Sequence, residues 1–365
     1  MSANPARFTT RDLFVGGQEG YLGYRIPALA VSPTGALLAF CEGRRQTAAE
    51  RGPIDIVLKR SFDGGATWRP MQIVAGEPDA KCGSPCPVVD RSTGMILLPF
   101  CKSPADGPEG LVLEGKAART VWITRSTDNG ATWSPPAEIT RTVKHSNWTW
   151  YITGPGHGIG LKSGRLLVPG NHVVGVNHNR RDPQRSHVIY SDDHGATWAL
   201  GGIVGNGTRQ ATIVQTSQGA IYMNCRTGQA LCNRLTSWSF DNGKAFVLTA
   251  VDSQLTDTKE GFGCHASVVR LTSADEHGRD RVLFANPGCR DKRRKLTVRV
   301  SYDECKTWEA LKPICENLSA YSDLGVLPDM TIGCLHENGI ASPSEKISLA
   351  QFNLEWLTNG ADSVG

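Results

Sequence analysis

Side chains able to grip an anion or move a proton are scattered along this chain. Guanidinium groups stand at Arg25, Arg44, Arg226 and in the run Lys292-Arg293-Arg294-Lys295; carboxylates stand at Glu50 and Glu337, and a phenol at Tyr321. Arginine holds a carboxylate through paired hydrogen bonds and keeps its charge at any working pH. Taken singly, each group has a plainer reading: Arg25 as a surface ion-pair residue, Glu337 as an ordinary loop carboxylate, the basic run as a solvated strand edge. The net charge of +4 and pI near 8.5 suit an acidic substrate and are too small to point to nucleic acid. The eleven cysteines contain no CxxC pair and no Cys/His zinc spacing, and no glycine-rich nucleotide loop is present, so neither a metal nor another cofactor is expected. Their odd number argues against a fully paired disulfide framework, so mostly buried free thiols are expected.

Residues this far apart in sequence meet only if the fold brings them together, and an internal repeat indicates which fold does so. Ser61-Phe62-Asp63-Gly64-Gly65-Ala66-Thr67-Trp68 recurs at residues 126–133 and 191–198, and in degenerate form at 239–246 and 301–308. The copies begin 65, 65, 48 and 62 residues apart. In each, the aspartate bonds its own backbone to close a tight turn and the glycine supplies a positive φ. The threonine and aromatic residue then open the next strand. Alternating apolar runs such as Ile54-Asp55-Ile56-Val57-Leu58 and Val298-Arg299-Val300 flank the turns. With 40 Gly and 20 Pro in 365 residues, the chain reads as turns and short strands. One four-stranded antiparallel blade per turn predicts an all-β, six-bladed β-propeller, with residues 1–365 forming a single domain. The turns themselves read as structural.

The repeat resembles the Asp box of sialidases, and further segments carry the same resemblance across residues 24–356. Tyr24-Arg25-Ile26-Pro27-Ala28 is similar to the family's YRIP signature and Phe40-Cys41-Glu42-Gly43-Arg44 to the segment after it. Pro85-Cys86-Pro87, Gly154-Pro155-Gly156-His157-Gly158, Ala320-Tyr321-Ser322-Asp323-Leu324 and Leu335-His336-Glu337 match as well. The resemblance implies a retaining exo-α-sialidase acting on sialylated glycans. Such a substrate carries a carboxylate on its anomeric carbon. Arg25, Arg226 and Arg293 are then the cationic triad that grips it, with Arg294 the rival for the third place. Glu337 is the glutamate that orients the first of them, and Glu42 has a similar supporting part. Arg44 is a further pocket residue, while Arg45 either contributes or faces solvent. Tyr321 is the nucleophile, because a carboxylate nucleophile would be repelled by the substrate's own carboxylate.

Two positions depart from the family pattern. The acid/base loop reads Glu50-Arg51-Gly52-Pro53-Ile54-Asp55, so Glu50 stands where the family carries aspartate; Asp55, inside the strand, is expected to be structural. In Arg209-Gln210-Ala211-Thr212-Ile213-Val214-Gln215, Gln210 replaces the glutamate that takes the tyrosine proton. A glutamine holds the phenol but accepts no proton. Glu260 is a distant substitute, and Arg209 offers a nearby positive charge. Two other functions therefore stay open: a glycosidase for a related nonulosonic acid such as Kdn, and a non-catalytic propeller that binds sialoglycans. His157, His172, Trp148 and Trp150 read either as pocket residues or as packing. Residues 1–8 show no signal peptide and no stretch reaches membrane-span length, which leaves cytoplasmic residence and secretion from a trimmed precursor both open.

Overall fold

The Asp-centred turns fold as their residue types dictate. Ser61 Oγ donates to Asp63 (2.8 Å), the Gly65 amide donates to Ser61 Oγ (2.9 Å), and Thr67 donates to Asp63 from both its amide (2.8 Å) and its hydroxyl (2.5 Å). The set recurs at residues 126–133, 191–198 and 301–308. At 239–246 the threonine hydroxyl is lost, Ala245 taking its place. The glycine has a second purpose. Gly130 and Gly195 adopt φ of 76° and 81°, and a Cβ there would run into Leu38 and Leu97 respectively, side chains of the preceding blade. The turn thus closes one hairpin and docks it on its neighbour.

The computed structural model describes residues 5–47, 50–107, 109–176, 184–227 and 232–364; the first four residues of the 1–8 stretch lie outside these. Strands stack antiparallel into six blades. The first comprises Gly23–Val31, Leu37–Arg44, Ile54–Ser61 and Gln72–Ala75. The second is built on Val88–Val89, Ile96–Pro104, Thr120–Ser126 and Ala137–Glu138, and the third on Ile159–Gly160, Leu166–Val174, Arg185–Ser191 and Ala199–Ile203. Thr208–Gln215, Ile221–Thr227, Asn233–Ser239 and Val247–Thr256 make the fourth. The long strand Glu309–Val326 serves two blades. Its first half pairs with Arg294–Ser301 at the outside of the fifth blade, and its second half with Ile332–Gly339 at the inside of the sixth.

The ring closes through the chain ends. Phe8–Val15 pairs antiparallel with Lys346–Phe352, from Phe8↔Phe352 to Val15↔Lys346. This explains why five turns serve six blades: the third and fourth strands of the sixth lie at opposite ends of the sequence. Successive inner strands touch all the way round, and six apolar clusters fill the gaps between adjacent blades. Leu38, Phe40 and Leu58 meet Ile96, Leu98 and Phe100 between the first and second. Leu29, Leu37 and Val57 meet Leu335, Ile347 and Leu349 between the first and sixth, which seals the ring. Burial of these side chains, worth about 25 cal/mol per Å², is what holds blade to blade. Among the described residues no cysteine forms a disulfide, and nine of the eleven are buried. Among the described residues no helix is long and apolar enough to cross a membrane, and no His/Cys/Asp/Glu group is arranged to hold a metal ion.

Candidate active site

Three inner strands break register at one end of the ring. The shift falls between Arg25 and Ala28 in the first blade, between Arg209 and Thr212 in the fourth, and between Ser319 and Ser322 in the sixth. A β-bulge bends the strand and re-aims a side chain. Ile26 and Gln210 sit in these bulges with φ of 60° and 44°, and Tyr321 sits in the third. A positive φ is strained for both Ile26 and Gln210 and is sustained only where surrounding contacts enforce it.

Those contacts converge on Tyr321. Glu337, with a fully buried side chain, accepts from Arg25 Nε at 2.6 Å, from the Ile26 amide at 2.9 Å and from the Tyr321 amide at 3.1 Å. One carboxylate therefore fixes the first arginine and the tyrosine backbone together. The Arg25 and Arg293 guanidiniums lie 5.5 and 5.7 Å from the centre of the Tyr321 ring. Arg226 Nη1 donates to the Tyr321 hydroxyl at 3.2 Å and to Gln210 Oε1 at 2.6 Å; Gln210 Nε2 donates to the same hydroxyl at 2.7 Å. Arg294 is exposed, so of the two rivals it is Arg293 that faces the tyrosine.

The arginines are held mostly by carbonyls, which orient a cation without cancelling its charge. Arg226 donates to the Phe262 and Gly261 oxygens, Arg293 Nη2 to Gly263 O, and Arg209 to Phe262 O and Gly261 O. Burial pushes both Arg209 and Arg226 below their ordinary pKa, with Arg226 adding to the effect on Arg209 and Arg293 to that on Arg226. Crowded cations without matching carboxylates are a receptor for an external anion. Glu260 supports Arg293 by accepting from its amide at 2.7 Å, and among the described residues no hydrogen bond joins it to Tyr321.

A recess is lined by Tyr321 and Gln210 together with Glu50, Glu42, Ile26, Ile54, Lys81, Arg119 and Trp150. Glu50, its side chain 43% exposed, is on this wall with its Oε1 3.5 Å from Arg44. Arg44 is buried behind the wall, bonding Glu42 Oε2 from Nε and Nη2, and does not itself line the recess. Glu42 is held again by the Ser84 amide at 2.9 Å. Asp55 is fully buried and ties Tyr21 to Arg45, as expected of a structural carboxylate.

The two tryptophans separate. Trp148 is core, stacked on His172 at 3.3 Å; His172 bonds His187 at 3.0 Å and lies away from the recess, whereas Trp150 lines it. His157 is no turn filler: its Nδ1 pairs with buried Asp323 at 2.8 Å. Asp323 was missed in the sequence, although an acid inside an apolar strand is a readable signal. It accepts from Leu29 N and Ser267 Oγ, tying the inner strands of three blades together. Asn171, whose Oδ1 receives the strained Gln210 amide at 3.1 Å, and recess residues Lys81 and Arg119 were missed too; only Lys81, in a short buried strand, left a trace.

An Asp-box propeller with an arginine-ringed tyrosine at one end is the class that fold and site define. Residues 35–336 match the BNR repeat-like domain family. The chain is 33% identical to the sialidase of Micromonospora viridifaciens over 96% of its own length, spanning 54% of that protein. It is 30% identical to an exo-alpha-sialidase of Aspergillus fumigatus over 94% of its length and 87% of that protein. A solved Hadza microbial sialidase superposes with a TM-score of 0.83 at 27% identity, covering 96% of this chain and 69% of that one. The chain belongs to the sialidase family, a family of glycoside hydrolases.

Proposed function

We propose that this protein is a retaining exo-α-sialidase. The observation that carries the reading is the meeting of Arg25, Arg226 and Arg293, from three blades, around Tyr321. In this reading the three guanidiniums grip the carboxylate on the anomeric carbon, which brings that carbon against the Tyr321 hydroxyl. Glu50 protonates the departing glycosidic oxygen as Tyr321 forms the glycosyl bond and gives up its phenol proton to solvent water. Glu50 then takes a proton from a second water, that water displaces Tyr321 with net retention, and the freed phenolate regains its proton from solvent. Arg44 holds Glu50 and Glu42 in place, and Glu337 locks Arg25 to the nucleophile strand. Gln210 positions the phenol and takes no proton.

The test is release of a fluorescent aryl group from an α-sialoside, with Tyr321→Phe as control. A 3-fluorosialyl fluoride should also add one sugar mass to the peptide containing Tyr321. Release that does not depend on Tyr321 refutes the reading. A second reading, a non-catalytic sialoglycan-binding propeller, draws on the amide at Gln210. It requires sialic acid binding with no Tyr321-dependent turnover.

A further inference from the structure

Three residues of the recess wall have a composition of their own. They are Lys81, Arg119 and Trp150. All three side chains are hydrogen-bond donors with no acceptor atom. Lys81 is 7% exposed, and its ammonium bonds one carbonyl, Gly107 O. Arg119 stacks its guanidinium on the Trp150 ring at 5.4 Å; its Nε is buried, and it forms no side-chain hydrogen bond or ion pair among the described residues. Trp150, also 7% exposed, has a buried Nε1 with no partner there. Such orphaned donors are uncommon in folded proteins and costly unless something meets them.

The local charge is equally unbalanced. Arg119 and Lys81 repel one another, and burial together with Arg119 lowers the Lys81 pKa. Glu50, Glu109 and Asp106 attract Lys81, but none forms an ion pair with it among the described residues. Glu42, the other carboxylate on the wall, is engaged by Arg44 and the Ser84 amide.

We propose that Lys81, Arg119 and Trp150 form a second anion site, so that the preferred substrate is a sugar diacid whose non-anomeric end carries its own carboxylate. This rests on the glycosidase reading above. An exo-acting enzyme admits the sugar's non-reducing end and leaves the aglycone outside, so buried donors on the recess wall face the sugar's own tail and not the leaving group. A polyol tail both donates and accepts, and its hydroxyl hydrogens would find no acceptor among these three side chains. A carboxylate accepts only and satisfies all of them.

The experiment compares two 2,3-didehydro sugar acids on the full chain by calorimetry. One is the analogue of N-acetylneuraminic acid with its neutral glycerol tail; the other is its C7 carboxylic acid, made by cleaving and oxidising that tail. The wild type should bind the acid-tailed compound about 10-fold more tightly or better, the scale of a charge-assisted hydrogen bond. Arg119→Gln should bring the ratio close to one. Trp150→Phe, which keeps the ring and removes the donor, should lower it in part and serves if Arg119→Gln does not fold. Equal or weaker binding of the acid-tailed compound overturns the proposal, as does a ratio unchanged in both variants. Aryl ketosides of the two sugars separate this from the hydrolase reading. No release from either, with the binding preference intact, removes the hydrolase and supports the second site. Release from the neutral-tailed ketoside with no preference removes the second site alone.

Discussion

Gln210 Nε2 donates to the Tyr321 hydroxyl at 2.7 Å while Gln210 Oε1 accepts from Arg226 at 2.6 Å. Arg226 has only donors, so it fixes which end of the amide faces the phenol. The Tyr321 oxygen thus receives two hydrogen bonds, from Gln210 and Arg226, and residue 210 receives none of its protons. Gln210→Glu converts this donor into an acceptor while Arg226 still has a partner. A base at that place is worth on the order of 100-fold. Aryl sialoside hydrolysis by the variant should rise at least about 10-fold near neutral pH. Its pH–kcat profile should gain a new acidic limb as the introduced carboxylate is protonated. A fall in rate instead would show that the amide's donation to the phenol is what the reaction uses.

Glu50 offers a test through leaving groups. Its carboxyl lies on the recess wall, half-exposed and 3.5 Å from Arg44. If it protonates the departing oxygen, the need for it grows with the basicity of that oxygen. Glu50→Gln should lower kcat/KM on a sialyl-lactose by about 100-fold or more and on a sialyl fluoride by less than about 10-fold. Equal losses on both would place Glu50 in binding and not in proton transfer.

Glu337 is predicted to matter to stability as much as to rate. Glu337→Ala leaves the Arg25 guanidinium without its counter-charge and orphans the Ile26 and Tyr321 amides. Breaking a buried pair on one side costs about 3–5 kcal/mol. Glu337→Gln keeps an acceptor for one or two of these donors and should cost less. Thermal unfolding should rank wild type, then Gln, then Ala, and substrate KM should rise in both variants as Arg25 loses its fixed pose.

The fold was legible in the sequence because an Asp-centred turn must satisfy its own backbone within a few residues, so its chemistry is local and repeats. The degenerate copies were readable for the same reason: Ser239, Asp241 and Gly243 keep the turn's bonds, and the Ala245 amide still donates to Asp241 although it has no hydroxyl to add a second bond. The site was readable only where a motif carried it. Arg25, Tyr321 and Glu337 lie in such motifs; Arg293, preferred to Arg294 in the sequence, has its guanidinium 5.7 Å from the centre of the Tyr321 ring. The bulges that aim Ile26, Gln210 and Tyr321 left no composition signal, because a register shift is set by the partner strand. Lys81 and Arg119 were hidden for a related reason: the recess wall forms only when the second and third blades meet the first.

Buried histidines make acid sensitivity the last prediction. Burial above all holds His172 and His265 down to about 3 and His336 to about 4, against an ordinary value of 6.5, and His187 is pushed well below it. Arg234 and Arg226 add to the effect on His265, and Arg185 and His145 to that on His172. Below pH 6.5 the unfolded chain binds a proton at each of these sites and the native chain does not. Stability is therefore full above 6.5 and falls as pH drops toward the folded values, by about 1.4 kcal/mol per unit for each histidine kept neutral. His157 has the opposite sign: Asp323 raises it against the opposing effect of burial, so its stabilisation is full below 6.5 and fades above the folded value. Four sites outweigh one, so the midpoint of thermal unfolding should fall by about 5 °C or more between pH 6.5 and 4.5. His336 is buried, with neither ring nitrogen bonded among the described residues. His336→Gln should therefore flatten that slope whatever it does to stability at pH 7.5. A slope unchanged in the variant would mean that His336 takes up its proton equally in both states.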